Sequence, residues 1–262
     1  MHFEKTHIED VIEIAIAAGE AVGDVYKTNF RVDEKADGSL VTKADQIAET
    51  IILEGLNAIT PDIAVLSEEA ASHGDIDKIG KTLGKQFFLV DPLDGTRDFV
   101  NRTDEFSINI ALINDNEPVF GVIYAPLLRE LYYGLKDGLA FKRDLQTGSD
   151  HQINARTAPD EGLVMLTSPM NQTVWQGKKL EGIEISDHLV AGSSLKFCRL
   201  AEGKADIYPR FGRTMEWDTA AGQVILEAAG GSVKLHPSGE RLLYKKAYRG
   251  FDNPAFIARG RL

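Results

Sequence analysis

Apolar residues near the start of the chain recur at helical spacing: Ile8, Val11, Ile12, Ala15, Ala18, Val22 and Val25 form one stripe. Glu4, Glu9, Asp10 and Glu13 lie among them, so the segment predicts an amphipathic surface helix. A secretion signal would need a basic start and an unbroken apolar run, so none is expected of this segment. A second stripe, Ala48, Ile51, Ile52, Gly55, Leu56 and Ile59, predicts another helix with Thr42 as its N-cap. Then the period changes. Short apolar runs at Ile63–Leu66, Phe87–Val90, Phe106–Ile113, Val119–Tyr124 and Leu131–Leu135 predict strands. A polar loop through Asp75 and Lys81 separates the first two, and turns fall at Asp115–Pro118 and Pro126–Arg129. The second half alternates: strand Leu163–Thr167, helix about Ser194–Glu202, strand Asp206–Phe211, and helix about Thr219–Ala229, stopped by Gly230-Gly231. Strands that arrive in runs as well as alternating with helices predict layered sheets and helices, an α/β class without one doubly wound sheet.

The 262 residues carry no repeat and no linker long enough to separate domains. One domain is expected, with a soft seam near Gly148 dividing subdomains of about 1–147 and 148–262. A net charge of −11 argues against a nucleic acid polymer as partner, because nothing would drive counterion release. That acidity reads either as a solvated surface or as carboxylates gathered to hold divalent cations. The single cysteine, Cys198, excludes an internal disulfide and a cysteine-based metal site, and it fits a reducing, cytoplasmic setting. On its predicted helix it falls on the inner stripe. No apolar run reaches the length of a membrane span, so no transmembrane segment is expected; peripheral association stays open.

Several familiar chemistries fail. There is no G-x-S-x-G and no G-x-G-x-x-G, and Gly80-Lys81-Thr82 lacks the earlier glycine a phosphate-binding loop requires. The six histidines are scattered, with no pair at metal-ligand spacing. The acidic residues are more informative. In Asp91-Pro92-Leu93-Asp94-Gly95-Thr96 a buried strand ends in two aspartates, while Pro92 fixes φ and Gly95 permits an unusual turn. Two carboxylates converging there repel unless a cation lies between them. The Leu93 carbonyl offers a third oxygen, and Gly95 and Thr96 offer N–H groups where a phosphate could rest. Hard oxygen ligands without His or Cys point to magnesium. Read alone, Ser67-Glu68-Glu69 is a solvated loop or a further ligand at Glu68. Asp218, in Trp217-Asp218-Thr219-Ala220-Ala221-Gly222, is an N-cap or a ligand, and Asp45 is the fourth residue of a capping box from Thr42.

Taken in order, Ser67-Glu68-Glu69, D-P-L-D-G-T and W-D-T-A-A-G resemble the signature of the lithium-sensitive inositol monophosphatase superfamily of magnesium phosphatases. Gly192-Ser193-Ser194-Leu195-Lys196-Phe197-Cys198 and the stretch Ala201–Gly212 resemble its 3'(2'),5'-bisphosphate nucleotidase branch. The likeness runs essentially the whole chain. It implies the layered α/β/α/β/α sandwich of the inositol monophosphatase and sugar phosphatase type. It also implies one magnesium on Glu68, Asp91 and the Leu93 carbonyl, a second on Asp91, Asp94 and Asp218, and a weaker third. Such cations would neutralise the phosphate, lower the pKa of water and stabilise the leaving oxygen. Thr96, hydrogen-bonded to Asp45, resembles the dyad that orients and deprotonates the attacking water, giving the catalytic set Asp45, Thr96 and Glu68. Substrate contacts are expected from Gly95, Thr96, Ser193, Lys196, Arg210 and Asp218, with Ser193 and Lys196 on one helical face and Arg210 closing on the same anion. The branch carries a Ser-Arg-Ser-His-like segment after the strand at Leu163–Thr167; here the chain reads Thr167-Ser168-Pro169-Met170-Asn171-Gln172. The resemblance thus implies a phosphatase for adenosine 3',5'-bisphosphate or its phosphosulfate analogue, placed in sulfate assimilation, as monomer or homodimer. Inositol monophosphate or fructose bisphosphate as substrate, or a nucleotide sensor that keeps the fold, are the other readings.

Overall fold

The computed structural model describes residues 6–34, 38, 40–74, 76–168 and 182–261. Helix α1 (His7–Tyr26) buries Val11, Ile12, Ala15, Ala18 and Val22, the stripe its sequence predicts. It packs on α2 (Lys43–Ile59), whose first turn is closed by a capping box between Thr42 and Asp45. Between them lies a hairpin of β1 (Val32–Glu34) and β2 (Leu40–Thr42). The helix pair covers a seven-stranded sheet whose strands follow chain order: β3 (Ala64–Ser67), β4 (Gln86–Asp94), β5 (Ser107–Asn114), β6 (Glu117–Ala125), β7 (Glu130–Leu135), β8 (Ala140–Arg143) and β9 (Asp150–Ile153). Only β3 and β4 run parallel; the rest are antiparallel neighbours.

Both faces of that sheet are covered, which explains the unbroken apolar run on β4. Phe88 and Val90 join the core under α1 and α2, whereas Phe87 and Leu89 join a second core on the opposite face. Each such side chain, when fully buried, contributes about 1.5–3 kcal/mol. The second core is formed with α6 (Leu195–Ala201) and α7 (Glu216–Ala228), which separate the first sheet from another. Gly121 and Gly134 let α7 approach: a Cβ there would meet Ala221 Cα at 2.7 Å and Ile225 Cα at 2.9 Å. The second sheet has order β11-β10-β12-β14-β13, built from β10 (Leu163–Thr167), β11 (Ile185–Val190), β12 (Ile207–Arg210), β13 (Ser232–Leu235) and β14 (Phe256–Arg259). Its parallel β10–β11 pair requires a crossover connection, most of which lies outside the described residues.

Among the described residues the layers are helices, sheet, helices, sheet; the class is α/β as expected, and a fifth, helical layer is not among them. Local differences have identifiable causes. The stretch read as a polar loop to Lys81 contains two short helices, α3 (Glu68–His73) and α4 (Ile76–Thr82). Gly148, expected at a seam, sits in the turn of the β8–β9 hairpin with φ of 71°, a left-handed conformation that favours glycine; the first sheet continues to Ile153. Helix α7 begins at Glu216, three residues before the expected Thr219. Cys198 is fully buried, and burial pushes its thiol pKa up. Among the described residues, no helix is long and apolar enough to cross a membrane.

Candidate active site

Strands β3 and β4 end side by side, and the site grows from those ends. Ser67 caps α3 by accepting the Ala70 amide at 3.2 Å, which places Glu68 at the mouth of a cavity of about 590 Å³. On β4 the ladder pairs Asp91 with Asn109 but Asp94 with Ser107. Three steps on one strand against two on the other make a β-bulge. Without the extra residue, positions three apart would face opposite sides of the sheet; with it, Asp91 and Asp94 both turn to the cavity. The apolar run predicts a strand over Phe87–Val90 that ends in the two aspartates. They lie within β4, at its bulged end.

Asp91, Asp94 and Asp218 are each held by one oxygen. Asp91 Oδ1 accepts the Leu93 amide at 3.0 Å. Asp94 Oδ2 takes the Ser194 amide at 2.7 Å, lies 2.6 Å from Ser193 Oγ and 2.5 Å from Ser194 Oγ, and reaches Asn109 Nδ2 at 3.3 Å. Asp218 is not the N-cap but the third residue of α7, where its Oδ2 accepts the Met215 amide at 2.9 Å. Ser194 Oγ also lies 2.7 Å from the Asp218 carbonyl, tying the two aspartates together. Asp45 Oδ2 accepts both the amide and the hydroxyl of Thr42, at 2.7 and 2.8 Å. Its Oδ1 faces Thr96 Oγ1 at 3.3 Å, and Thr96 Oγ1 reaches the Leu93 carbonyl at 3.2 Å. Gly95, with φ of 91°, caps the short helix α5 (Thr96–Asn101).

Burial and mutual repulsion dominate the electrostatics. Asp91 is 1% exposed, and desolvation, followed by the charges of Glu68, Asp94 and Asp218, raises its pKa well above the ordinary value. Asp218 rises for the same reasons, burial first and Asp94 next. Burial also pushes Asp45 up to about 6. Among the described residues, no three His, Cys, Asp or Glu side chains close around a common point as a ready-made metal cage. What the structure presents is four carboxylates on one cavity, three of them anchored through a single oxygen each, an arrangement that suits oxygen-ligated cations.

The basic residues depart from expectation. Ser193 precedes α6 with φ of 48°, so it does not share a helical face with Lys196, and its hydroxyl is spent on Asp94 and Ser107. Lys196, 5% exposed, donates from Nζ to the carbonyls of Ala191 (3.1 Å) and Ser193 (2.6 Å) above the Tyr208 ring. Burial lowers its pKa to about 8. Arg210 lines the cavity, donating from Nη2 to the Arg213 carbonyl at 2.7 Å while its buried Nε has no partner. Pro169–Gln172 lie outside the described residues. Sequence reading overlooked Ser107, Asn109 and Ser194 as supports of Asp94. The first two alternate on an apolar strand, a pattern that carries no functional signal.

The fold and site together define an enzyme-like cleft in which buried carboxylates meet basic side chains at the sheet ends. Residues 4–255 match the model of the inositol monophosphatase family, and the chain belongs to that family. It is 41% identical over 253 residues to the 3'(2'),5'-bisphosphate nucleotidase CysQ of Salmonella typhimurium, covering 95% of this chain and 98% of that protein. It is 39% identical to the CysQ nucleotidase of Buchnera aphidicola over 254 residues, 96% of this chain and 92% of that one. The crystal structure of CysQ from Bacteroides thetaiotaomicron, a bacterial member of the inositol monophosphatase family, superposes with a TM-score of 0.82 at 34% identity, covering 99% of each chain.

Proposed function

We propose that this protein is a magnesium-dependent phosphatase that removes the 3'-phosphate of adenosine 3',5'-bisphosphate, and acts likewise on the 5'-phosphosulfate analogue. The observation that carries the reading is the bulged Asp91–Asp94 pair, set against Asp218 in a chain alike over nearly its full length to CysQ nucleotidases. Enzymes of this family are generally metal-dependent. The donor set fits: Asp91 is buried among three further carboxylates, a charge that only protons or cations relieve. Glu68, Asp91 and the Leu93 carbonyl would hold one ion and Asp91, Asp94 and Asp218 a second, with room for a third, weaker one. Bound there, magnesium neutralises the phosphate and makes water a better nucleophile.

The chain's own residues do the rest. Thr96 Oγ1, between Asp45 and the Leu93 carbonyl, orients the attacking water, and Asp45 accepts the proton. The amides of Gly95 and Thr96 face the phosphate to be cleaved. Arg210 meets the anion that does not react, while Ser193 and Lys196 hold the loop that fixes Asp94. We assign the same reading its lithium sensitivity, a place in sulfate assimilation and a cytoplasmic setting. Phosphate release across a panel with magnesium tests the assignment. Adenosine 3',5'-bisphosphate is expected to exceed inositol monophosphate and fructose 1,6-bisphosphate in kcat/KM. A reversed order would move the chain to another substrate, and no turnover at all would leave a sensor.

A further inference from the structure

The segment 243–253 is a strap beside the cavity, which it lines at Gly250, and both of its flanks are stitched down. Toward the first sheet, Lys245 Nζ donates to the carbonyls of Leu83 (2.6 Å) and Gly84 (2.9 Å), and the 3-10 turn Ala247–Arg249 presses on α4, where Gly80 leaves no space for a side chain. Toward α7, the Glu216 amide donates to the Phe251 carbonyl at 2.9 Å, and Asn253 Nδ2 donates to the Met215 carbonyl at 2.7 Å. The tightest knot is Glu216 itself, fully buried at the first position of α7. Its Oε1 accepts the Lys246 amide at 2.7 Å and meets Lys246 Nζ at 2.7 Å, and its Oε2 accepts the Lys245 amide at 2.8 Å.

A buried ion pair is weak evidence for stability, since apolar residues of similar volume commonly replace one without loss. This pair therefore invites another explanation. We propose that Glu216 and Lys246 are positioning residues for metal affinity: they lock the strap to the first turn of α7 and so hold Asp218, two residues along, against Asp91 and Asp94. The proposal rests on reading Asp218 as a metal ligand. Asp218 is the one carboxylate of the four that comes from outside the first sheet and its adjoining α3. Its placement depends on how that turn is held, and a ligand out of place by about half an ångström binds poorly.

The test compares wild type, the double variant Glu216→Gln/Lys246→Met, and Lys245→Met, whose side chain anchors the other flank. Magnesium affinity is read from calorimetry and from the magnesium-dependent rise in Tm, and KM is measured at saturating magnesium. The double variant is expected to bind magnesium about tenfold more weakly with KM within twofold of wild type, and Lys245→Met about threefold more weakly. Magnesium affinity within twofold of wild type in a folded double variant overturns the proposal; should that variant not fold, unchanged affinity in Lys245→Met does so. Wild-type protein that binds no magnesium overturns the metal-site reading as well, whereas binding wild type with unaltered variants removes only the strap's role.

Discussion

Asp94 and Ser194 stand 100 positions apart, yet the Ser194 amide donates to Asp94 Oδ2 at 2.7 Å. The contact joins the bulged end of β4 to the loop that starts α6, so the floor of the cavity is shared between the first sheet and the helical layer behind it. A carboxylate that takes charge-assisted bonds on one oxygen is fixed in orientation before any ligand arrives.

Because Asp94 combines that fixed orientation with its place on the cavity, Asp94→Asn is expected to lower turnover by about a thousandfold or more. Its amide also offers a donor where Asp94 Oδ2 meets only donors. Turnover within tenfold of wild type, measured by phosphate release, would sink the assignment.

Activity is expected to rise with pH through about 6, the value to which burial lifts Asp45 from its ordinary 3.8, as the base loses its proton. The same shift works against stability. A carboxyl whose pKa is raised on folding favours the folded state below its unfolded value and loses that contribution as pH climbs through the folded one. At pH 7 to 8 the buried charge therefore opposes folding by about 3 kcal/mol at most. Asp45→Asn should abolish the acidic limb of the rate profile yet raise Tm at pH 8 by a few degrees. A lowered Tm would mean that the Thr42 cap outweighs desolvation.

Arg210 and Lys196 are expected to separate by substrate. Arg210→Ala should lose about ten- to a hundredfold in kcat/KM on the bisphosphate, and little on a monophosphate lacking the second anion. Lys196→Ala should impair both alike, since its ammonium holds the carbonyls of Ala191 and Ser193 behind Asp94. Equal losses for Arg210→Ala on the two substrates would remove it from recognition.

Gly121→Ala tests the packing of α7 on the first sheet. A Cβ there would meet backbone and Val224 at about the same 2.7 Å, so neither helix nor strand can yield cheaply. The variant is expected to lose about 1–3 kcal/mol, read as a fall in Tm of several degrees.

What the amino-acid order determined by itself is what depends on near neighbours. The stripes of α1 and α2 follow from a 3.6-residue period, and the Thr42–Asp45 capping box from residues three apart. The convergence of the two aspartates of D-P-L-D-G-T was legible too, since a proline that fixes φ and a glycine that permits an unusual turn allow both to face one cavity. Edge strands β9 and β11 gave no such sign, because their mixed, partly exposed residues lack a clean alternation. The burial of Lys196 was equally hidden: a lysine's period says nothing of two carbonyls folded over it. Only the tertiary structure decided which residues grip Asp94. Asn109, Ser193 and Ser194 reach it because a bulge turns one strand and a loop returns from the second half of the chain. Contacts of that kind are set by packing between distant segments, and local order leaves no trace of them.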